Sequence, residues 1–294
     1  MATPTVRRLQ LGNELRRLRE DVGCTPAEAA KVLGCNVTKI SRLELGQSGI
    51  AIGDVKMLLE SYGDDPEHVQ WMMDLARNNR ERGRWAGHRA ALPEWFRVYV
   101  DLERDAEDIR QTEVEVVPGL LQTEAYIRAM FDAALPFGGP TDVEGAVRAR
   151  LERQQVLDGD DPPTLSCILS ESCVRRMVGN RAVMAEQLDH LADMAGRPRV
   201  QIQLRPFDGE FPSGVIAHRF TMVRIPAPGS APPLSFVYCE DFDDARYVDD
   251  KRIVRSYDAL WGTLQAAALG PAETRSRLRE LARQLTEGPS DVPH

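Results

Sequence analysis

The sequence predicts an α+β protein in which an all-α N-terminal bundle is joined to a mixed α/β C-terminal domain. Its 294 residues suggest about two domains at roughly 150 residues each. Apolar residues recur at helical spacing between capping residues from position 7 to position 63, and strand-like and helix-like segments alternate after position 91. We therefore predict a helix-turn-helix domain with a basic linker at residues 1–90 and a second domain at residues 91–294.

The first part of the bundle carries clear helix boundaries. Leu9–Glu20 has apolar residues at helical spacing and ends at a glycine. Thr25 is a candidate N-cap, with Pro26 at the first helical position and Glu28 three residues after the cap, as in a capping box. This second helix is expected to stop at Gly34.

A third helix follows at once, with Asn36 as its N-cap and Gly46 at its end. Further helices are predicted at Ile52–Tyr62 and at residues 66–82. The segment Arg77–Arg89 then contains five arginines and one acidic residue. It fits either a solvated connector or an auxiliary phosphate contact, and the pattern leaves both interpretations open.

The C-terminal domain is predicted to mix strands and helices, which indicates a small layered fold of undetermined strand order. Predicted helices are Glu94–Glu107, Gln122–Ala134, Asp142–Leu157, Arg181–Ala195, Val248–Leu269 and Ala272–Leu285. Predicted strands are Thr112–Val117, Leu165–Leu169, Val200–Leu204, Phe220–Ile225 and Leu234–Glu240.

Composition excludes several classes of protein. Hydrophobic residues make up 43% of the chain and charged residues 28%, which excludes an intrinsically disordered protein. No apolar run approaches the ~18 residues that a membrane span needs. The segment Met1–Leu11 has no apolar core of the kind that a secretory signal requires. We therefore expect a cytoplasmic protein without a membrane partner.

The charge is unevenly distributed along the chain. The formal net charge is -8 overall, but residues 1–90 hold 14 lysines and arginines against 12 acidic residues, a net of +2. The remaining residues hold 23 against 33, a net of -10. Because a polyanion repels the acidic part, only the N-terminal part is expected to approach nucleic acid.

Catalytic and metal-binding motifs are missing from the sequence. It has no P-loop, GxGxxG, HExxH or GxSxG pattern. The five cysteines include no CxxC pair, and the five histidines, including His218, are scattered. We therefore expect no enzyme activity, no metal, no cofactor and no disulfide framework.

The helix-turn-helix pattern indicates DNA binding. Two short helices joined by the Gly34-Cys35 turn match the motif in which the second helix enters a major groove. The string LGNELRRLREDVGCTPAEAAKVLGCNVTKISRLELGQ (residues 11–47) resembles the repressor/Cro-type helix-turn-helix of the xenobiotic-response-element family. A helical bundle that contacts only proteins is the alternative interpretation.

The resemblance implies roles for individual residues. Those implied to touch base edges are Val37, Thr38 and Arg42, and those implied to meet phosphates are Asn36, Lys39, Ser41 and Gln47. Thr25 is a candidate phosphate ligand through its hydroxyl or nearby N–H groups. Pro26 stands where family members commonly carry a glutamine that contacts the DNA backbone, so that contact is not carried over.

The C-terminal domain resembles that of WhiJ-like regulators. The resemblance rests on WFRVYVDLERDAEDIR (95–110), VPGLLQTEAYIRAM (117–130), ESCVRRMVGN (171–180) and VQIQLRPFDGEFPSG (200–214). It implies a transcriptional regulator of a family often described as antitoxin-like and encoded near small partner proteins. It supplies no catalytic site.

Three local features of the second domain, a set of aromatic residues, an arginine pair and an acidic run, each allow two interpretations. The aromatic residues Trp95, Phe96, Tyr99 and Tyr126 are expected to be packing residues, with a ligand cage as the alternative. The pair Arg175-Arg176 near Glu171 fits a surface ion pair or an anion site. The acidic run 240–244 fits a hydrated surface or a site for a cation or a basic partner.

Together these patterns predict a homodimer that binds a palindromic operator in double-stranded DNA. The C-terminal domain would dimerise and bind a partner protein or small-molecule effector. The alternative is an antitoxin-like protein that sequesters a small partner and binds DNA for autoregulation.

Overall fold

The computed structural model describes residues 4–46, 48–63, 65–77, 94–134, 142–209, 219–227, 233–241 and 244–287. They fall into two compact units. The first contains the N-terminal helices together with Arg97–Asp105 and the described part of Pro226–Leu234, and the second contains the remaining strands and helices. The predicted boundary after residue 90 and most of the basic segment Arg77–Arg89 lie outside the described residues.

The N-terminal unit is helical, as predicted. The helices of its N-terminal part are α1 (Pro4–Asp21), α2 (Pro26–Val32), α3 (Val37–Glu44), α4 (Ile52–Tyr62) and α5 (Pro66–Arg77). The first helix begins five residues before the predicted Leu9, and α4 matches its prediction at both ends.

Both predicted caps of the helix-turn-helix are confirmed. The Thr25 hydroxyl accepts from the Glu28 amide at 3.3 Å, and the Glu28 carboxylate accepts from the Thr25 amide at 2.8 Å, which completes the capping box. At α3, the side-chain oxygen of Asn36 accepts from the Lys39 amide at 2.8 Å. Gly34, in the turn between the helices, has φ +60°, a conformation that a side chain disfavours.

One apolar cluster holds these helices together, and every helix contributes to it. Fully buried examples are Leu11, Leu15, Ala29, Ile40, Leu58 and Met72. Burial of each large apolar side chain stabilises the fold by roughly 1.5–3 kcal/mol. Because the cluster takes one face of α3, the opposite face of that helix lies at the surface of this unit.

The strands and later helices follow the predicted alternation. Helices are α6 (Glu94–Arg104), α7 (Glu124–Ala134), α8 (Val143–Gln154), α9 (Glu171–Arg175), α10 (Arg181–Met194), α11 (Lys251–Ala266) and α12 (Pro271–Glu287), with short 3-10 turns at Gly119–Leu121 and Gln155–Asp158. Strands are β1 (Asp108–Glu113), β2 (Thr164–Ser170), β3 (Val200–Arg205), β4 (Phe220–Ile225), β5 (Leu234–Glu240) and β6 (Ala245–Val248).

The six strands form one mixed sheet in the order β3-β2-β1-β4-β5-β6. Strands β1, β2 and β3 run parallel, with Ile109 opposite Leu165 and Leu165 opposite Val200. Strand β4 runs antiparallel to β1, and β6 antiparallel to β5. Trp261 and Leu264 of α11 pack on this sheet in one apolar cluster. The observed architecture is the predicted α+β class.

The prediction for the first strand was wrong. A strand was expected at Thr112–Val117, but β1 spans Asp108–Glu113, and residues 114–116 form bends. The sequence of β1, DIRQTE, is mostly polar, and pairing with β2 on one side and β4 on the other sets its register. The sequence prediction instead followed the apolar residues that come after β1.

Further elements differ from expectation. The short helix α9 and the edge strand β6 were not predicted. The helix expected from Val248 begins at Lys251, because the Asp250 carboxylate caps it by accepting from the amides of Arg252 and Ile253. No helix in the described part of the chain is long and apolar enough to cross a membrane.

Candidate nucleic-acid interface

Helix α3 presents a polar face with an apolar residue at its leading end. Val37 is 44% exposed, and Thr38, Ser41 and Arg42 are also exposed. Its opposite face buries Ile40, Leu43 and Glu44. The structure therefore places all the residues predicted for the recognition helix, 36 to 42, on one short, capped helix.

The Arg42 side chain is available for a ligand. It is exposed, and it forms no hydrogen bond or ion pair with any residue that the structure describes. Ser41 differs, because its hydroxyl donates to the Val37 carbonyl at 3.3 Å, within the helix. Gln47 was also predicted as a phosphate contact and lies outside the described residues.

Lys39 is already engaged by an acidic side chain. Its ammonium lies 2.9 Å from Oδ2 of Asp54, in the first turn of α4. The hydrogen bond that Lys39 donates to Asp54 holds the pKa of Lys39 above its ordinary value, so the side chain stays charged. The residue predicted to contact phosphate is therefore a cation with a carboxylate beside it.

Thr25, which was predicted to donate a hydrogen bond to phosphate, is also engaged by an acidic side chain. Its amide and its hydroxyl both donate to one oxygen of Glu28, at 2.8 Å and 2.7 Å. The amide hydrogen bond is the main cause that lowers the pKa of the Glu28 carboxyl. The amide and hydroxyl of Thr25, which the sequence suggested as hydrogen-bond donors to phosphate, are therefore already used in the capping box.

A buried ion pair orients the far end of α3. Arg19 of α1 donates to both oxygens of Glu44 at 2.6 Å and 3.0 Å, and to the Cys24 carbonyl at 2.8 Å. The hydrogen bond to Glu44 is the largest cause that raises the pKa of Arg19. One guanidinium thus joins α1, the turn before α2 and the end of α3.

Helices α1 and α3 also approach closely through backbone atoms. A Cβ placed on Gly12 would lie 2.5 Å from the Leu43 carbonyl oxygen and 2.7 Å from that of Glu44. Both distances are shorter than van der Waals contact allows. Only glycine fits at this crossing, which sets the distance between the two helices.

Sequence reasoning missed Arg19, Glu44 and Asp54. A signal for the first two was present: both charged residues lie at the helical period of buried leucines and isoleucines, Arg19 four residues after Leu15 and Glu44 four after Ile40. A charge on an apolar face indicates a buried partner. No local pattern links Asp54 to Lys39.

Comparison with known families covers most of the chain. Residues 10–72 match a family described as "Helix-turn-helix domain". Residues 96–280, more than half of the chain, match a family described as "Domain of unknown function (DUF5753)". The chain belongs to the DUF5753 family. No curated protein and no solved structure matches it.

The N-terminal match bears on function. A helix-turn-helix ahead of the DUF5753 domain is consistent with a regulator of the xenobiotic-response-element type, and it supports DNA binding and transcription regulation. The matched residues include α2, α3 and the whole exposed face described above. The resemblance stated from the residues is therefore confirmed at this coarse level.

The DUF5753 domain contains a buried polar group at the end of β1. Glu113 is buried, and the Gln111 amide donates to it at 2.8 Å. Burial raises the pKa of the Glu113 carboxyl to about 7. Arg219, just before β4, pairs with Glu240 at 2.7 Å and opposes that rise. Glu240 of the predicted acidic run is thus ion-paired.

The arginine pair of this domain binds two different carboxylates. Arg175 pairs with Glu171, which is buried, and Arg176 pairs with Glu115 at 2.6 Å. Burial raises the pKa of Glu171, but the Phe207 amide and Arg175 outweigh that effect and leave the pKa lowered. The expected ion pair is present, although its acidic partner lies in the interior.

The other predictions for this domain concern aromatic residues and metal ligands. Tyr99 and Tyr126 are buried, and Phe96 packs under the guanidinium of Arg153 at 5.0 Å. The side chain of Trp95 and all of His218 lie outside the described residues. Within the described ranges no three histidine, cysteine or acidic side chains converge on one point, and the five cysteines are not bonded to one another.

Proposed function

We propose that the protein is a cytoplasmic, sequence-specific transcriptional regulator of the WhiJ-like kind, and that α3 reads the major groove. One observation carries the proposal: the leading face of a capped helix is exposed, while its other face and its C-terminal end are fixed in the interior. Reading a base needs side chains held in register on a rigid element.

The side chains on this face suit base edges. The Arg42 guanidinium can donate two parallel hydrogen bonds to guanine, a contact worth about 1–3 kcal/mol of discrimination. The exposed Val37 side chain suits a thymine methyl group, and the Thr38 hydroxyl can bond to either a donor or an acceptor. A face of this chemistry does not require a catalytic step, and we propose that the protein is not an enzyme.

Phosphate contacts would position this helix. Lys39, Asn36 and Ser41 flank the reading face, together with Thr25 at the start of α2. Such contacts release counterions, so they make binding depend on salt without carrying sequence information. Pro26 removes one backbone contact that related proteins make, which lowers the expected affinity of a single subunit.

We also propose that the protein acts as a homodimer on a palindromic operator. One helix-turn-helix module buries only about 600–1,000 Å² of surface against DNA, so two-fold pairing is the usual way to reach specific affinity. The DUF5753 domain, which is the larger part of the chain, would supply the interface and the site for a partner protein or effector.

An antitoxin-like role is the second candidate. Residues 91–294 carry a net charge of -10, which suits a small basic partner. In the DUF5753 domain Phe207 is 65% exposed and Met177 is 48% exposed, and exposed side chains of this type are common at protein interfaces. Co-purification with the neighbouring small protein at low and high salt tests it, and no co-purification at any salt contradicts it.

Selection from random duplexes with the purified full chain tests the main proposal. The enriched sequences should contain two half-sites whose centres are about 10 base pairs, or a multiple, apart. In titrations of the selected duplex, log K should fall linearly with log salt concentration. Duplex association that does not respond to ionic strength would remove the assignment to DNA.

A matched pair of arginine variants sharpens this test. Arg42→Ala should weaken binding by about 5- to 150-fold and relax the preference at one base pair of each half-site. Arg283→Ala removes a 65% exposed arginine from α12, outside the helix-turn-helix, and should bind like the wild type. Equal behaviour of the two variants would contradict the role of Arg42.

A further inference from the structure

We infer that Asp54 is an affinity-setting residue: its carboxylate occupies Lys39 and competes with DNA phosphate for that ammonium. The inference rests on the proposed function and names a residue that neither the family match nor the helix-turn-helix pattern assigns. It concerns a contact between two elements, the first turn of α3 and the first turn of α4.

The geometry places the two groups in direct contact at the surface. Oδ2 of Asp54 is 2.9 Å from Nζ of Lys39, with 27% of the aspartate and 44% of the lysine side chain exposed. Both groups are therefore partly exposed to solvent. A phosphate that approaches Lys39 meets the Asp54 carboxylate within a few ångströms.

Charge makes this arrangement unfavourable for phosphate. A lysine ammonium has three donors and can bond to two anions, but a carboxylate and a phosphate held on one ammonium repel each other. The phosphate must either displace Asp54 or share Lys39 with it. In both cases the gain from the contact is smaller than for a free lysine.

The same competition reduces counterion release. Lys39 is partly neutralised by Asp54 before DNA arrives, so its contact with phosphate releases less than one full counterion from DNA. The phosphate contribution is common to all sequences. Asp54 therefore lowers the affinity of each subunit for any duplex, while base discrimination by Arg42 is unchanged. Because a single subunit then binds weakly, occupancy depends on two paired half-sites.

Asp54→Asn tests the inference, because asparagine keeps the shape and removes the charge. Its control is Glu60→Gln, which makes the same charge change on the same helix, where Glu60 is 66% exposed and pairs with Lys56 at 3.7 Å. Each is measured in the full chain, with and without Lys39→Ala, against the selected duplex at several salt concentrations. Circular dichroism melts confirm that every variant is folded.

The expected result is specific to Lys39. Asp54→Asn should bind about 5- to 10-fold more tightly than Glu60→Gln at low salt, with a slope of log K against log salt steeper by up to ~0.9 per subunit. In the Lys39→Ala background, Asp54→Asn and Glu60→Gln should have equal effects.

Two results overturn the inference, and they differ from a failure of the proposed function. Equal affinities and slopes for Asp54→Asn and Glu60→Gln exclude a special role for Asp54. An advantage of Asp54→Asn that persists without Lys39 shows a general charge effect. If no protein binds any duplex, the proposed function itself fails and the inference falls with it.

Discussion

The guanidinium of Arg19 and the carboxylate of Glu44 form a two-point ion pair inside the N-terminal bundle, with N–O distances of 2.6 Å and 3.0 Å. The two side chains are only 7% and 9% exposed. Since Glu44 is the last residue of α3, this pair fixes the end of the proposed recognition helix to α1. A bidentate geometry also restricts rotation of the helix.

Glu44→Ala should therefore destabilise the bundle strongly. It leaves the Arg19 guanidinium buried without its carboxylate, which costs about 3–5 kcal/mol in comparable pairs. Glu60→Ala, at an exposed position of α4, should change stability by about 0.5 kcal/mol or less. Hydrogen exchange of the α1 and α3 amides measures the difference in opening free energy.

The double variant Arg19→Met/Glu44→Leu separates the ion pair from packing. It removes both charges together, so it should be more stable than Glu44→Ala. Its loss of stability should also be smaller than the sum of the losses for Arg19→Met and Glu44→Leu alone. A cost for Glu44→Ala as small as that for Glu60→Ala would show that Arg19 finds solvent or another partner, and the anchoring role would then be wrong.

Gly12→Ala tests the close crossing of α1 and α3. The added Cβ would lie within 3 Å of two carbonyl oxygens, so the helices must move apart, at a cost of about 1–3 kcal/mol. Gly53→Ala is the matched control, because nothing lies within 4 Å of its Cβ and alanine favours helix by about 1 kcal/mol. Urea unfolding should shift in opposite directions for the two variants, and equal shifts would contradict the crossing.

Short-range signals explain why the helix boundaries were predictable from sequence. The caps at Thr25 and Asn36 involve a residue and an amide three positions later, so the whole interaction lies within one short window of sequence. The partners Arg19 and Glu44 are 25 residues apart, and Lys39 and Asp54 are 15 apart. Their pairing depends on how the helices pack, which periodicity alone does not determine.

The misplaced first strand has a related cause. The sequence prediction followed an apolar stretch, but β1 buries the polar residues Gln111, Thr112 and Glu113. Two of these side chains find partners inside the domain: the Thr112 hydroxyl accepts from the Phe220 amide at 3.1 Å, and the side-chain amide of Gln111 donates to Glu113. Phe220 lies 108 residues from Thr112 in the sequence. Hydropathy does not reveal a partner at that distance, so it places the strand in the apolar stretch that follows.

Substitutions at Asn36 should separate folding from DNA binding. Asn36→Ala removes the cap of α3 and should cost about 1 kcal/mol in thermal unfolding. Asn36→Asp keeps a capping oxygen, so its melting temperature should match the wild type, while its negative charge should weaken binding to the selected duplex. If Asn36→Asp binds as tightly as wild type, Asn36 does not lie near a phosphate.

Glu113 should make the stability of the DUF5753 domain depend on pH. Burial raises its pKa to about 7, above the ordinary value of 4.5, so the native state holds a proton that the unfolded chain releases between these values. The unfolded chain then binds fewer protons in this window, and stability falls as pH rises from about 4.5 to 7. Below that window the penalty is absent, and above it the penalty is complete.

Glu113→Gln should remove this dependence. The glutamine side-chain oxygen can still accept from Gln111, and Arg219 keeps Glu240 as its partner. The variant should melt at a higher temperature than wild type at pH 8, by an amount that corresponds to no more than about 3 kcal/mol, and the advantage should shrink steadily toward pH 5.

Glu115→Gln, at a 59% exposed carboxylate two residues away, should show no such trend. A difference between Glu113→Gln and wild type that stays constant from pH 5 to pH 8 would mean that Glu113 is ionised in the folded domain throughout, with Arg219 and Arg153 compensating for its burial.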